Sequence, residues 1–102
     1  LQSGALEFDR TARRVRLGGD EVALTPRATL LLEYLMSHPD ELHTRERLLE
    51  TLRGFEFAVS TRTIDHRVAE LRRVLGRDAQ TPRYIETVQQ SGYRFIGEVT
   101  GT

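Results

Sequence analysis

The sequence predicts an α+β domain in which a small antiparallel sheet precedes three helices and a C-terminal β-hairpin. Residues 1–24 carry short runs of alternating apolar residues between turn signals, a pattern that is typical of strands. Residues 25–75 place their apolar residues at helical spacing, and residues 84–96 return to alternation. The length of 102 residues suits one hydrophobic core and is too short for two, so we expect a single domain.

The N-terminal segment predicts a meander of antiparallel strands. Its short apolar runs lie at residues 6–8, 15–17 and 22–24. The LGGDE stretch between the last two runs is expected to form a tight hairpin turn. The predicted division of the chain is a linker remnant of a longer protein at residues 1–5, the domain at residues 6–98 and a tail at residues 99–102.

Two helices are predicted to follow. Thr25 is expected to cap the first helix, with Pro26 at the first helical position, where its missing N–H costs nothing. This helix should end near Ser37, because a proline comes soon afterwards. Thr44 is expected to cap the second helix, which should end at Gly54. Leucines supply the predicted core stripes of the two helices: Leu31, Leu32 and Leu35, then Leu48, Leu49 and Leu52.

The third helix, predicted at residues 61–75 with Ser60 or Thr61 as its cap, has a clean division of faces. Its apolar residues follow each other at steps of four, three and four: Ile64, Val68, Leu71 and Leu75. The opposite face should point away from the core and carries Arg62, His66, Ala69 and Arg73. Any surface helix shows an apolar and a polar face, so this pattern alone does not identify a binding site.

Residues 84–96 predict a β-hairpin. Its strands are expected at residues 84–88 and 93–96, with a turn at residues 89–92. Two helices, a third helix with a polar outward face and a terminal hairpin form the order of a winged helix-turn-helix domain.

The charge is unevenly distributed along a chain whose net charge is zero, a value that by itself argues against a nucleic-acid partner. Residues 1–61 hold eight arginines against ten acidic residues, a net charge of −2. Residues 62–94 hold seven arginines against four acidic residues, a net charge of +3. All 15 basic residues are arginine, which suits phosphate recognition, although a GC-rich genome produces the same bias.

Several classes of site are excluded or disfavoured by the sequence. The absence of cysteine excludes disulfides and thiolate chemistry, and no apolar run approaches the roughly 18 residues of a membrane span. His38, His43 and His66 lack the spacing of metal ligands, so we expect no metal, no cofactor and no catalytic residue. Asp65 and His66 are adjacent in a helix and point in different directions, so Asp65 is expected to orient an arginine instead. The expected compartment is the cytoplasm.

The segments LTPRATLLLEYLMSHPDELHTRERLLETLRGFEF, STRTIDHRVAELRRVLG and PRYIETVQQSGYRF together resemble the DNA-binding domain of OmpR/PhoB-type response regulators. The resemblance runs from about Leu24 to Phe95, with the elements LTP, RTID, LRR, PRYI and GYRF in the same order. It implies a winged helix-turn-helix fold with an N-terminal four-stranded antiparallel sheet, a three-helix core and a C-terminal β-hairpin wing.

The resemblance also implies a function. The domain would bind double-stranded promoter DNA sequence-specifically and regulate transcription in a bacterial two-component phosphorelay, without being an enzyme. The recognition helix at residues 61–75 would lie in the major groove, and the wing at residues 88–93 would touch the minor groove. An N-terminal receiver domain, phosphorylated by a sensor kinase, belongs to the family and is absent from this chain. The isolated domain is expected to be monomeric and to form a tandem dimer on DNA.

Site residues are carried over from the family by position. Family contacts to DNA backbone or bases correspond to Arg62, Thr63, Arg67, Arg72 and Thr87. The outward face of the helix, its flank and the region of the wing add five candidates: His66 and Arg73 on the face, Glu70 on the flank, and Gln89 and Arg94 at or near the wing. The loop at residues 53–60 corresponds to one that can contact RNA polymerase, with candidates Arg53, Phe55, Glu56 and Phe57.

Glu70 departs from the family, since several members place a base-reading arginine at this position. Its carboxylate could accept a hydrogen bond from cytosine. It could instead pair with Arg67 or Arg73 along the helix, which we favour, or repel phosphate. The alternative function is a winged-helix protein-interaction module with weakened or lost DNA affinity, as Glu70, Gln89 and the zero net charge would allow.

Overall fold

The structure is a computed structural model that describes residues 1–52, 60–75 and 84–101. Within these ranges the chain forms seven strands and three helices. Their order is β1 (Gln2–Ser3), β2 (Leu6–Asp9), β3 (Arg14–Leu17), β4 (Asp20–Glu21), α1 (Pro26–Ser37), β5 (His43–Thr44), α2 (Arg45–Leu52), α3 (Thr61–Leu75), β6 (Ile85–Val88) and β7 (Gly92–Phe95). This is the predicted winged helix-turn-helix order, with a four-stranded sheet, three helices and a C-terminal hairpin.

The N-terminal sheet is antiparallel, with strand order β1-β2-β3-β4. The predicted hairpin turn is confirmed, because Gly18 and Gly19 both have positive φ angles, 62° and 88°, between the paired residues Leu17 and Asp20. The prediction of the strand after this turn, at residues 22–24, was wrong. A two-residue turn forces pairing to begin at once, so the strand occupies residues 20–21.

The two ends of the described chain meet at the edge of this sheet. Gln2 and Ser3 form β1 and pair with β2, and Gln2 also bridges to Thr100 through two backbone hydrogen bonds of 2.8 Å. The assignment of residues 1–5 to a linker remnant and of residues 99–102 to a tail stays a prediction; within the described residues, Gln2 and Ser3 form a strand and Thr100 pairs with Gln2. Sequence patterning missed β1 because two residues are too short to show alternation.

The predicted caps of the first two helices are confirmed. Thr25 caps α1, with its hydroxyl accepting a hydrogen bond from the Ala28 amide, and α1 ends at Ser37. The hydroxyl of Thr44 accepts from the Arg47 amide at 3.1 Å, which places Thr44 at the start of α2. The predicted end of α2 at Gly54 lies outside the described residues.

The wing sheet has three strands in the order β5-β7-β6, one more than the predicted hairpin. The additional strand is β5, whose His43 and Thr44 pair with Tyr93 and Gly92. Two residues directly before a helix are too few to show the alternation of a strand. β5 is therefore identified by its pairing with β7 and not by its own sequence. The pairing joins the wing to the start of α2.

One hydrophobic core lies between the N-terminal sheet, the three helices and the wing sheet. α3 contributes the four residues predicted for its inner face, all at most 1% exposed: Ile64, Val68, Leu71 and Leu75. α3 packs on both α1 and α2, so these contacts fix its rotation about its own axis. Among the described helices, none has the length and apolar character that a membrane crossing requires.

Candidate nucleic-acid interface

The outward face of α3 is exposed as predicted. Arg62, His66, Ala69 and Arg73 are all exposed, whereas the opposite face is buried in the core. Residues three and four apart in a helix lie on one side, so these four side chains form one continuous strip. The strip offers two guanidinium groups and an imidazole to a partner, with a small residue between them.

Arg67 lies beside this strip but is engaged within the domain. Its Nη1 donates to the Glu70 carboxylate at 2.8 Å and to the Thr25 hydroxyl at 3.1 Å. Only 26% of its side chain is exposed. Its Nε is buried and has no hydrogen-bond partner among the described residues. Arg67 therefore has its charge neutralised by a neighbour on its own helix.

Glu70 flanks the outward strip but is only 8% exposed, whereas its predicted contact with DNA would need an accessible carboxylate. Its carboxylate accepts hydrogen bonds from the Thr25 amide at 2.8 Å and from the Thr25 hydroxyl at 2.9 Å. The favoured pairing with Arg67 is confirmed. The hydrogen bonds to Thr25 were not predicted, because the two residues are 45 positions apart and leave no local pattern.

Arg72 is engaged with the wing. Its Nη2 donates to the backbone carbonyl of Ile85 at 3.0 Å and to the hydroxyl of Thr87 at 2.6 Å. Its guanidinium also lies over the Tyr93 ring, 5.8 Å from the centroid. Arg72 and Thr87, which both correspond to DNA contacts of the family, are thus hydrogen-bonded to each other within the domain. Arg72 fastens α3 to β6.

A second network connects α2, α3 and the wing through Asp65. The Arg45 Nε donates to the Asp65 carboxylate at 2.7 Å, and the Tyr93 hydroxyl donates to the same oxygen. The Arg45 guanidinium lies 5.4 Å from the Tyr93 ring centroid. The prediction that Asp65 orients an arginine is confirmed. Neither Arg45 nor Tyr93 was predicted as a site residue. Their signals in the sequence are the position of Arg45 at the start of α2 and that of Tyr93 in the GYRF segment.

The ionisation of this network follows from its contacts. Burial alone would raise the pKa of the Asp65 carboxyl, but the hydrogen bonds from Tyr93 and Arg45 outweigh burial and hold that pKa below its usual range. Burial, and then the hydrogen bond to Asp65, raises the pKa of the Tyr93 hydroxyl. At neutral pH Asp65 is therefore an acceptor and Tyr93 a donor.

The turn of the wing presents polar side chains. Gln89 and Gln90 are exposed, and Gln90 has a positive φ of 60° in the turn between β6 and β7. Arg94, predicted to contact DNA near the wing, pairs across the strands with the Glu86 carboxylate at 3.0 Å. Thr63, another predicted contact, is partly exposed at the start of α3. The four candidates for polymerase contact lie outside the described residues: Arg53, Phe55, Glu56 and Phe57.

Comparison with known proteins places this geometry in a family. The family model described as "Transcriptional regulatory protein, C terminal" matches residues 19–95. The phosphate regulon transcriptional regulatory protein PhoB of Escherichia coli is 34% identical over 98 residues, which cover 93% of this chain and 41% of that protein. A probable transcriptional regulatory protein of Picosynechococcus is 40% identical over 82 residues, covering 80% of this chain and 33% of its own length. The chain thus spans about a third to two fifths of these relatives.

Solved structures agree with this assignment. The DNA-binding domain of RstA from Klebsiella pneumoniae, solved in complex with the RstA box, is 33% identical and superposes with a TM-score of 0.83, covering 94% of this chain and 95% of that one. The response regulator DrrB of Thermotoga maritima, an OmpR/PhoB homologue, is 34% identical with a TM-score of 0.85, covering 95% of this chain and 44% of that one. The chain therefore belongs to the family of C-terminal domains of transcriptional regulatory proteins, as a winged-helix DNA-binding domain of the OmpR/PhoB type.

Proposed function

We propose that this domain binds double-stranded promoter DNA by inserting α3 into the major groove while the wing turn, residues 88–93, reaches the adjacent minor groove. The observation that carries the proposal is the exposed strip of α3, which presents Arg62, His66 and Arg73 on one side of a helix that the core holds rigidly. A protruding helix with its polar side outward is the element that helix-turn-helix proteins place in the groove. Gln89, which is exposed at the wing turn, is the side chain that the proposal assigns to the minor groove.

Two of the four α3 arginines named as candidate DNA contacts are engaged within the domain, so we expect fewer phosphate contacts than four arginines would make. Arg67 and Arg72 would have to leave partners inside the domain before they could reach DNA. Arg62, Arg73 and the wing would supply about two to four phosphate contacts per domain. Each neutralised phosphate contributes about 0.9 to the slope of log K against log salt, so we expect a slope of roughly −2 to −4.

The biological setting of the proposal is regulation of transcription in a bacterial two-component system in the cytoplasm. A receiver domain would precede this domain in the full protein, and two copies would occupy tandem half-sites on DNA. Contact of residues 53–60 with RNA polymerase is part of the same proposal. The full-length PhoB relative is named as a transcriptional regulatory protein, and DrrB as a response regulator, which supports this setting.

The direct test is fluorescence anisotropy with a labelled promoter duplex at several salt concentrations. Arg62→Ala is expected to weaken binding and to reduce the magnitude of the salt slope by about 0.9. Arg16→Ala is the matched control, because Arg16 is equally an exposed arginine but lies on β3 of the N-terminal sheet. Binding that is absent at low salt, or that does not depend on salt, would favour the protein-interaction module instead. Glu70 no longer supports that alternative, since its carboxylate is buried.

A further inference from the structure

The Glu70 carboxylate, in the middle of α3, accepts hydrogen bonds from Thr25 at the start of α1. Thr25, the N-cap of α1, has an extended backbone with φ −64° and ψ 156°, and its amide points at Glu70 Oε2, 2.8 Å away. In a capping box, a Glu or Gln three residues after the cap bonds back to this amide. That position is Ala28, and the first turn of α1 contains no acidic residue. Glu70, on another helix, therefore accepts the hydrogen bond from the Thr25 amide that a Glu at position 28 would accept in a capping box.

The Thr25 hydroxyl is fully used in this arrangement. It donates its one hydrogen to Glu70 Oε1 at 2.9 Å and accepts from the Ala28 amide at 3.3 Å and from Arg67 Nη1 at 3.1 Å. A hydroxyl has one donor and two acceptor sites, so none is left over. The negative charge of Glu70 also lies at the positive end of the α1 dipole. These contacts join three side chains, which we name the α1–α3 clasp: Thr25, Arg67 and Glu70.

The clasp determines whether the positive charge of Arg67 is available to DNA. Arg67 follows Arg62 by five residues and precedes Arg73 by six, so its side chain leaves α3 to one side of the outward strip and not within it. With 26% of that side chain exposed, a guanidinium released from Glu70 could extend to a phosphate that flanks the groove. Moving its guanidinium to a phosphate would leave the Glu70 carboxylate buried without its ionic partner. Burying an unpaired charge is costly, so the clasp opposes that movement.

We propose that Glu70 is a positioning residue that caps α1 and holds Arg67 away from DNA, so that Arg62 and Arg73 carry the phosphate contacts of α3. The inference rests on the proposed DNA binding by α3. It makes Glu70 a determinant of how many phosphates the domain neutralises, although its carboxylate does not itself touch DNA.

The test compares salt slopes for a labelled duplex of mixed sequence. Glu70→Gln keeps the shape and can still accept from the Thr25 amide, but it removes the charge that holds Arg67. We expect the released Arg67 to reach a phosphate and to steepen the slope by about 0.9. Arg67→Ala alone should leave the slope unchanged. The double variant, with Glu70→Gln and Arg67→Ala, should return the slope to the wild-type value.

Arg73→Ala provides the matched control on the same helix. It should make the slope shallower by about 0.9 in both the wild-type and the Glu70→Gln background, because Arg73 is exposed in each. Thermal unfolding of each variant identifies those that fold. A merely structural role for Glu70 would lower the melting temperature without changing the slope, and this outcome would overturn the proposal.

Arg67→Ala in the wild-type background keeps the proposal testable even where Glu70→Gln does not fold. A loss of about 0.9 in slope on that change would show that Arg67 contacts phosphate despite Glu70, and would overturn the inference while leaving DNA binding intact. Absence of DNA binding by the wild-type domain at low salt would overturn the proposed function, and with it this inference.

Discussion

The four arginines of α3 divide into two pairs that differ in what they contact. Arg62 and Arg73, the exposed pair, lie on the outward strip. Arg67 and Arg72, the engaged pair, donate to groups inside the domain, the first toward α1 and the second toward the wing. Arginines of the same charge on one helix thus differ in role: one pair is open to a partner, and the other connects α3 to its neighbouring elements. The comparison shows that counting basic residues overestimates a binding surface when some of them connect the elements that support it.

Leu71→Ala tests the scaffold that both pairs share. Leu71 is fully buried on the inner face of α3, so its truncation should lower the free energy of unfolding by about 2–5 kcal/mol. Chemical denaturation followed by circular dichroism measures this loss. Ala69→Ser, an exposed change on the same helix, should stay within about 0.5 kcal/mol of wild type. A similarly small effect for Leu71→Ala would contradict the rotation of α3 on which the division into pairs depends.

Gly92→Ala disturbs the wing to which the engaged Arg72 is fastened. A Cβ at Gly92 would lie 2.0 Å from the backbone carbonyl oxygen of His43, so β5 and β7 would have to separate. We expect a loss of about 1–3 kcal/mol, in the range of overpacked interiors, together with weaker DNA binding. Thermal unfolding and anisotropy measure the two effects. Ser91→Ala in the neighbouring turn is the control, and equal results for both variants would argue against the close approach.

Arg72→Ala and Arg73→Ala sharpen the comparison directly, since they remove the same side chain from adjacent positions. Arg72→Ala should cost about 1.5–3 kcal/mol of unfolding free energy, because charged hydrogen bonds to Ile85 and Thr87 are lost. Arg73→Ala should change stability by less than about 0.5 kcal/mol. Urea titrations of the two variants give both values. Equal stability losses would remove the distinction between the pairs.

The smallest expected effect is the pH dependence of the Asp65 network. The pKa of Asp65 is lower in the folded state, so its ionised form contributes stability above its unfolded pKa of about 3.9, and this contribution disappears as the pH falls through the lower folded value. The pKa of Tyr93 is raised, so its contribution is present at neutral pH and is lost in strong alkali.

Asp65→Asn should therefore make the free energy of unfolding less dependent on pH in the acidic range. The difference in melting temperature between wild type and this variant should be constant between about pH 5 and pH 8 and should shrink below about pH 4. Glu41→Gln removes an exposed carboxylate elsewhere and serves as the control. A difference that stays constant down to about pH 3 would mean that the pKa of Asp65 is the same in the folded and unfolded states, and would contradict the stabilisation of its ionised form by the network.

Local patterns predicted most of the fold. The Thr25 cap with Pro26, the limits of α1 and the inner face of α3 follow from interactions within a few residues, and each was predicted. Strands β1 and β5 were not, since two-residue strands are defined by partners far along the chain. The exposed candidates of the site were also predictable from helical periodicity. The pairing of Arg67 with Glu70 was predicted as well, because it lies within one helix. The hydrogen bonds of the engaged pair to Thr25 and Thr87 were not, because they depend on how α3 packs against other elements.

The pairing of Gln2 with Thr100 brings the two ends of the described backbone next to each other, so that the chain runs nearly in a closed ring. Leu1 lies beside Gly101, so both ends of this ring meet at one edge of the N-terminal sheet. A short peptide could join them, and new ends could be opened at the exposed turn of Gly18 and Gly19, since exposed turns tolerate circular permutation. Such a permuted chain would keep α1, α2, α3 and the wing in their original succession. Because these elements keep their succession, we expect the permuted domain to fold to the same structure.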